Sequence, residues 1–179
     1  MDVIDFHPTI ENLFQSWREP LGQDYVPYRN HVYRVFNFSV KLADADGDLV
    51  EKLAVVSAFH DIGIWLDRTF DYIEPSVLHA SEFLLANKRC SWISSVAKTI
   101  REHHKLLPWI GNGSNLVESF RRADWLDVCF VVFPTKLETS FTDNVLQTFP
   151  RSGFHFRLAC LALPWILRHP LRPLPMFKL

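Results

Sequence analysis

Apolar residues recur every three or four positions along most of this chain, which is the spacing of one face of an α-helix. Turn signals such as Pro20-Leu21-Gly22 and Asp46-Gly47-Asp48 divide the pattern into segments. The spacing predicts helices over residues 8–17, 27–43, 49–60, 74–86, 91–105, 115–132, 144–148 and 153–168. We expect Gly63 to follow the third of these helices in the left-handed conformation that favours glycine.

Strand signals are weak by comparison. The stretch 128–133 has the composition of a buried strand, but it continues a helical face without an intervening turn signal. The length of 179 residues is that of one ordinary domain. The pattern therefore predicts an all-α fold, a single-domain bundle of six to eight helices over residues 1–179, with a last helix and a proline-rich tail over 151–179.

Composition and charge narrow the function classes. The chain is 48% hydrophobic and 22% charged, which is typical of a globular protein and excludes a disordered one. The formal net charge of -1 lacks the basic excess of a nucleic-acid-binding protein, so no stable nucleic-acid binding is expected. A small anionic substrate held by a few local cations remains compatible with this balance.

Cysteine usage and the N-terminal residues bear on the compartment. Cys90, Cys129 and Cys160 form no paired motif and lie among apolar neighbours, which predicts buried, reduced thiols. The acidic residues near the N-terminus do not resemble a signal peptide, and no apolar run approaches the ~20 residues of a membrane span. We therefore expect a cytoplasmic protein without a membrane segment, and the sequence carries no signal for its oligomeric state.

Candidate chemistry lies where ionisable residues occupy core positions. A histidine or an aspartate replaces an expected apolar residue in five separate helices: His31, His60, His79, the pair His103-His104, and Asp124. Taken singly, each has a simple explanation, such as a core histidine bonded to a carbonyl group, or Asp124 paired with Arg121 or Arg122. Because unpaired buried polar groups are costly, the joint pattern predicts that several of them share a cation. Imidazole and carboxylate ligands suit Mn, Fe, Co, Ni or Zn.

The adjacent pair His60-Asp61 is the most specific element of this pattern. The order His31, then His60-Asp61-Ile62-Gly63, then Asp124 resembles the H…HD…D signature of the HD-domain superfamily. The local contexts, 28–35, 58–63 and 123–124, resemble that family too, and the resemblance covers about residues 25–130. It implies an all-helical fold, and in most members of the family a metal-dependent phosphohydrolase activity.

Two further segments resemble a subgroup of this family with extra histidines. The resemblance implies that His31, His60, Asp61 and Asp124 hold a first divalent ion and that Asp61 bridges to a second. That second ion would be held by His79 together with one or both of His103 and His104. One or two ions of Mn, Fe, Co, Ni or Zn are the implied cofactors.

The resemblance implies hydrolysis of a phosphate ester of a small molecule or nucleotide by a metal-activated water. Asp61 is the expected centre of catalysis. Arg121 lies one turn before Asp124 and Lys105 follows His104, so both are candidate contacts for the phosphate charge. Two departures limit the comparison. Ile64 stands where many members have a basic residue, and the segment after His104 does not resemble that of cyclic-di-GMP phosphodiesterases.

An alternative interpretation comes from a different reaction class. The ligand set also resembles that of HD-fold diiron oxygenases, which oxidise polyols or cleave organophosphonates with O₂. Aromatic residues near the motif, Trp65, Tyr72, Trp109 and Trp125, suit a dry oxygen-activating pocket, although bulky core packing explains them equally well. A third interpretation, a binding module without turnover, predicts a broken ligand set, and the motif here is intact.

Overall fold

The computed structural model describes residues 2–111, 113–129 and 137–176. These residues form eight helices of nine or more residues, two single-turn helices, and two 3-10 turns over Gly22–Asp24 and Cys90–Trp92. The helices are α1 (Pro8–Ser16), α2 (Arg18–Leu21), α3 (Tyr25–Ala43), α4 (Gly47–Phe59), α5 (Gly63–Leu66), α6 (Ile73–Ala86), α7 (Ile93–Glu102), α8 (Ser114–Val128), α9 (Thr139–Thr148) and α10 (Phe154–Arg168). No β-strand forms within the described ranges, and the predicted all-α fold is confirmed.

Three helix ends differ from the prediction by three residues or more. Helix α7 ends at Glu102, so His103 and His104 lie in the turn that follows it rather than inside the helix. Helix α9 begins at Thr139, before the predicted start at 144. Helix α8 is observed as far as Val128, and residues 130–132 of the predicted helix lie outside the described residues.

Helix α3 is the central element of the fold. Nearly all of its residues from Pro27 to Val40 are buried, and it packs against α4, α8, α9 and α10. Its buried residues include polar ones, and these need partners because an unsatisfied buried polar group is costly. The Asn37 side-chain carbonyl, for example, accepts the backbone N–H of Ile4 at 2.8 Å. The polar residues of α3 therefore mark where the interior is specialised.

The C-terminal helix α10 is attached by its first turn. Of its residues only Phe154 is buried, whereas Phe156, Leu163 and Leu167 are more than half exposed. The Phe154 ring stacks on the His31 imidazole with 4.2 Å between ring centroids. Helix α10 thus begins directly against a residue of the predicted metal site.

The expectation of buried cysteines is wrong, because Cys90, Cys129 and Cys160 are all exposed free thiols. Each lies at or beside a helix end or on an outward face, where apolar neighbours in sequence do not imply burial. None of the helices in the described part of the chain combines the length and the apolar character required to traverse a bilayer.

Candidate metal centre

Four separate parts of the fold direct donor side chains toward one point in the interior. His31 comes from α3, His60 and Asp61 from the end of α4, and Asp124 from α8, and all four are at most 4% exposed. The turn after α7 adds the neighbouring pair His103 and His104; the former is fully buried, and the latter has a side chain that is 12% exposed. The structure thus brings together six of the predicted ligands.

The end of α4 explains how two neighbouring residues serve one site. Helix α4 ends at Phe59, His60 caps it, and α5 begins at Gly63 after a tight turn. This turn lies directly on α6: a Cβ atom at Gly63 would come within 2.8 Å of the Tyr72 carbonyl oxygen. The expected left-handed conformation is wrong, since Gly63 has no positive φ. Glycine is required there for close backbone packing.

The first donor group is formed by His31, His60 and Asp61. The Nε2 atoms of the two histidines are 3.0 Å apart, and Asp61 Oδ2 lies 3.2 Å from the His60 Nε2 atom and 3.8 Å from the His31 Nε2 atom. Asp124 Oδ1 lies 3.7 Å from the His31 Nε2 atom and 3.6 Å from the His60 Nε2 atom. Donor atoms of the first three residues lie within 4.8 Å of one another, which is close enough to share one ion.

The tautomers of these histidines follow from their outer hydrogen bonds. His31 Nδ1 donates to the Asp127 carboxylate at 2.7 Å, and His60 Nδ1 donates to the Ser57 carbonyl at 2.8 Å. A neutral imidazole that donates from Nδ1 carries its lone pair on Nε2. Two lone pairs therefore face each other across 3.0 Å. A cation coordinated by both nitrogens satisfies this arrangement, which is the usual one for histidines that bind metals.

The second donor group is formed by Asp61, His103 and His104. His103 Nδ1 donates to the Ile100 carbonyl at 2.6 Å, which leaves its Nε2 lone pair 3.4 Å from Asp61 Oδ1. The His104 Nδ1 atom lies 3.7 Å from Asp124 Oδ2. Asp61 therefore belongs to both groups, with one carboxylate oxygen nearest to each.

Four buried oxygen and nitrogen atoms of this cluster have no hydrogen-bond partner among the described residues: Asp61 Oδ1, His103 Nε2, and both carboxylate oxygens of Asp124. Each unsatisfied buried polar atom costs about 1–3 kcal/mol, and more when it is charged, so such a cluster is not maintained without a compensating ligand. All four are acceptors once the two carboxyl groups are ionised. The donor set therefore fits a divalent cation.

The electrostatics of the site also favour a cation. Burial raises the pKa of the Asp124 carboxyl group to about 8 and lowers the pKa of the His31 imidazole to about 4. At Asp61 burial acts in the same direction as at Asp124, but the neighbouring imidazoles of His60 and His103 hold its pKa well below the usual range. A neutral His31 beside a carboxylate is the protonation state that metal coordination requires.

The comparison with known protein families agrees with this geometry. A family model of the HD domain matches residues 28–129, which is more than half of the chain. The chain belongs to the HD domain family. HD domains bind divalent metals, and the matched region contains both donor groups together with Asp124, which lies beside the first group. No curated protein and no solved structure gives a significant match to this chain.

The sequence analysis of this HD domain missed two buried residues behind His31. The Asp127 carboxylate accepts a hydrogen bond from His31 Nδ1. It also accepts hydrogen bonds from Nε and Nη2 of Arg34, at 2.6 and 2.8 Å. Although burial opposes ionisation, His31 and Arg34 hold the pKa of Asp127 far below its ordinary value. Arg34 follows His31 by three positions and Asp127 follows Asp124 by three, so helical spacing carried a signal for both.

His79 is not brought to the cluster of this HD domain. Its Nε2 atom lies 2.8 Å from Asp67 Oδ2 with a side chain that is 27% exposed, and it belongs to neither donor group. The buried face of α6 is formed by residues such as Val77, Ala80 and Leu84, and His79 lies at the edge of that face. The geometry therefore does not support a ligand role for His79.

The two predicted phosphate contacts also have other partners. Arg121 is buried and makes a two-pronged hydrogen bond to Glu118, at 2.7 Å on each side, and a third bond to the Lys105 carbonyl at 3.0 Å. It thereby ties α8 to the turn that carries His103 and His104. The Lys105 ammonium lies 3.9 Å from Glu102 and 5.3 Å from the centre of the Trp109 ring. The geometry assigns Arg121 a structural position and brings neither side chain to the donor groups of the HD domain.

Proposed function

We propose that this protein is a metal-dependent phosphohydrolase that cleaves a phosphate ester of a small molecule. One observation carries the proposal: the six clustered donors of an HD domain are buried, and four of their acceptor atoms have no partner in the part of the chain that the structure describes. A structural metal site has the same need for acceptors, but this one adjoins a cavity, which gives a substrate access to it.

His31, His60, Asp61 and Asp124 would hold one divalent ion, and Asp61 would share a second with His103 and His104. Mn, Fe, Co, Ni and Zn all suit this mixture of imidazole and carboxylate ligands. Such ions, when bound, make a water nucleophilic near neutral pH and compensate the charge of a phosphoryl group during its transfer.

The remaining work belongs to residues of the chain. Asp127, fixed by Arg34, keeps His31 in the tautomer that presents Nε2 to the ion. The Tyr72 hydroxyl group is hydrogen-bonded to His104 Nε2 at 2.7 Å, and so holds that imidazole at the inner end of the cavity. Burial of the cluster limits water to what the cavity admits, which strengthens every charge interaction at the site.

Metal analysis and phosphate release from a panel of phosphomonoesters test the proposal. We expect one or two bound ions per chain and phosphate release that requires Mn²⁺, Co²⁺ or Ni²⁺. Asp61→Asn should lose both the metal and the activity. Asp143→Asn, the same change at an exposed position of α9, should retain both. Metal-loaded protein that releases no phosphate, or full activity of Asp61→Asn, would contradict the proposal.

A diiron oxygenase is the second candidate, and two observations favour it. Asp61 is shared by two histidine-containing groups, and the adjoining cavity has mainly apolar walls, as an oxygen-activating site requires. This function predicts two irons per chain and substrate-dependent O₂ consumption by the Fe²⁺ form without phosphate release. Phosphate release by the Mn²⁺ form without O₂ consumption by the Fe²⁺ form would exclude it.

A further inference from the structure

A cavity of about 270 Å³ leads outward from the candidate metal centre. Asp61 and His104 stand at its inner end, and Asp61 is only 4% exposed. Leu174, which is 40% exposed, lies at its outer end. A molecule whose reacting group meets Asp61 therefore directs its remainder along this cavity toward Leu174. The volume lies just below the usual range of small-molecule sites, about 300–1,000 Å³, so the remainder must be compact.

The walls between these two ends are apolar. Four apolar residues of these walls come from three parts of the chain. Phe70 belongs to the segment after α5, Val128 ends α8, and Leu158 and Ala162 belong to the side of α10 that packs against the core. Met176 also lines the cavity and is itself 5% exposed. Such walls stabilise a ligand by burying its apolar surface. A hydroxylated or charged remainder would lose its hydration there without gaining hydrogen bonds or an opposite charge in return.

The polar residues of the walls already have partners. The Tyr72 hydroxyl bonds to His104 Nε2 at 2.7 Å. His155 donates from Nε2 to the Asp127 carbonyl at 3.1 Å. Specific recognition of several hydroxyl groups requires several aimed donors and acceptors, and the lining residues that the structure describes do not present them.

Positive charge is also missing from the described walls of the cavity. Within the described ranges no lysine or arginine lines it. Arg34, the buried arginine nearest in sequence to His31, is bound to Asp127, and Arg157 of α10 is bound to Asp24 at 2.5 Å. A polyphosphate chain needs cations beyond those at the reacting phosphate. The site is therefore built for one anionic group, at the metal end only.

We propose that the substrate combines a single anionic reacting group with a compact apolar remainder, as in the phosphomonoester of a short aliphatic or aromatic alcohol. The anionic head meets the metal centre and the apolar remainder fills the cavity between Phe70, Leu158 and Met176. The anionic-head part of this inference rests on the proposed phosphohydrolase function, whereas the apolar part rests on the cavity alone.

Binding of non-hydrolysable ligands tests the inference without relying on turnover. Unbranched alkylphosphonates of increasing chain length are titrated by calorimetry into the Mn²⁺-loaded full-length protein, beside hydroxylated phosphonates of equal length. We expect affinity to rise about threefold to fourfold per added methylene until the cavity is full, and then to stay level. The hydroxylated analogues should bind no tighter than methylphosphonate.

Two variants locate the effect. Leu158→Asp places a charge on the inner face of α10 and should remove the dependence on chain length. Leu163→Asp, the same change on the outer face of the same helix, where the side chain is 56% exposed, should preserve it. Should Leu158→Asp fail to fold, Ala162→Leu adds apolar bulk instead, and affinity should then level off at a shorter chain. Methylphosphonate affinity should stay unchanged in the Leu163→Asp control, whose altered side chain lies outside the cavity.

The outcomes separate this inference from the proposed function. A parallel series of alkyl hydroxamates, whose head group binds metals in many enzyme classes, provides the distinction. A rise with chain length for hydroxamates but no phosphonate binding would refute the phosphohydrolase and retain the apolar site. Affinities that do not rise with chain length in either series, or hydroxylated analogues that bind more tightly, would overturn the inference.

Discussion

Replacement of Asp127 by asparagine tests whether the charge pair behind His31 is essential. The change preserves shape but removes the negative charge that faces Arg34. Both side chains are fully buried, and they are joined by hydrogen bonds of 2.6 and 2.8 Å. Removal of one partner from such a pair leaves the other charge buried and uncompensated, which costs about 3–5 kcal/mol. For a chain of this length we expect the melting temperature to fall by about 6–20 °C.

Metal affinity should fall as well, for a separate reason. Loss of the carboxylate weakens the bond that orients His31, and a change of this kind typically costs about 10–100-fold in metal affinity. The double variant Arg34→Met/Asp127→Leu separates the two effects. An apolar pair of similar volume should recover most of the stability, because no buried charge remains. It should not recover the metal affinity, because leucine offers His31 Nδ1 no acceptor.

Denaturant unfolding of the metal-free protein measures the first effect, and calorimetric titration with Mn²⁺ measures the second. Arg101→Met is the matched control: it breaks another two-pronged arginine–carboxylate pair, with Glu74, whose side chains are 41% and 64% exposed. Arg101→Met should lower the free energy of unfolding by no more than about 1 kcal/mol. A free energy of unfolding of Asp127→Asn that lies within about 1 kcal/mol of the wild-type value would refute the reasoning about this pair.

Three more predictions follow from the site. Gly63→Ala should destabilise the metal-free protein by about 1–3 kcal/mol in denaturant unfolding, since the new methyl group would lie 2.8 Å from the Tyr72 carbonyl oxygen; an unchanged midpoint would contradict this. His103→Ala should lower the metal content measured by elemental analysis, whereas His79→Ala should leave it unchanged; the reverse result would restore His79 as a ligand. Chelation should lower the melting temperature, and Mn²⁺ at about 100 times its dissociation constant should stabilise the protein by about 2.7 kcal/mol. A melting temperature that responds to neither treatment would show that the cluster holds no ion.

The sequence predicted the helices and most of the cluster for a common physical reason. An ionisable residue on an apolar stripe has to be buried with a partner, and His31, His60 and Asp124 all satisfy that rule. His79 lies apart from the cluster because its place on the apolar stripe is marginal: the buried face of α6 runs through Val77 and Ala80 beside it. Periodicity gives the direction of a side chain only to within the width of a helix face.

Other features depend on contacts between distant segments. The pairing of Arg34 with Asp127 requires α3 and α8 to be adjacent, and neither helix alone reveals it. Arg121 is different, because its partner Glu118 lies three positions earlier in the same helix and was readable from the sequence. The walls of the cavity were not foreseeable, since they combine α8, α10 and the segment that follows α10.

The position of Asp61 in both donor groups makes the two groups thermodynamically dependent on each other. An ion held by one oxygen of this carboxylate alters the charge and the freedom of the other oxygen. If the first ion changes the affinity for the second by some factor, the second ion changes the affinity for the first by the same factor, because such linkage is reciprocal. A metal titration of this protein should therefore depart from the curve of two identical, independent sites, and Asp61 is the residue through which cooperativity, positive or negative, would be set.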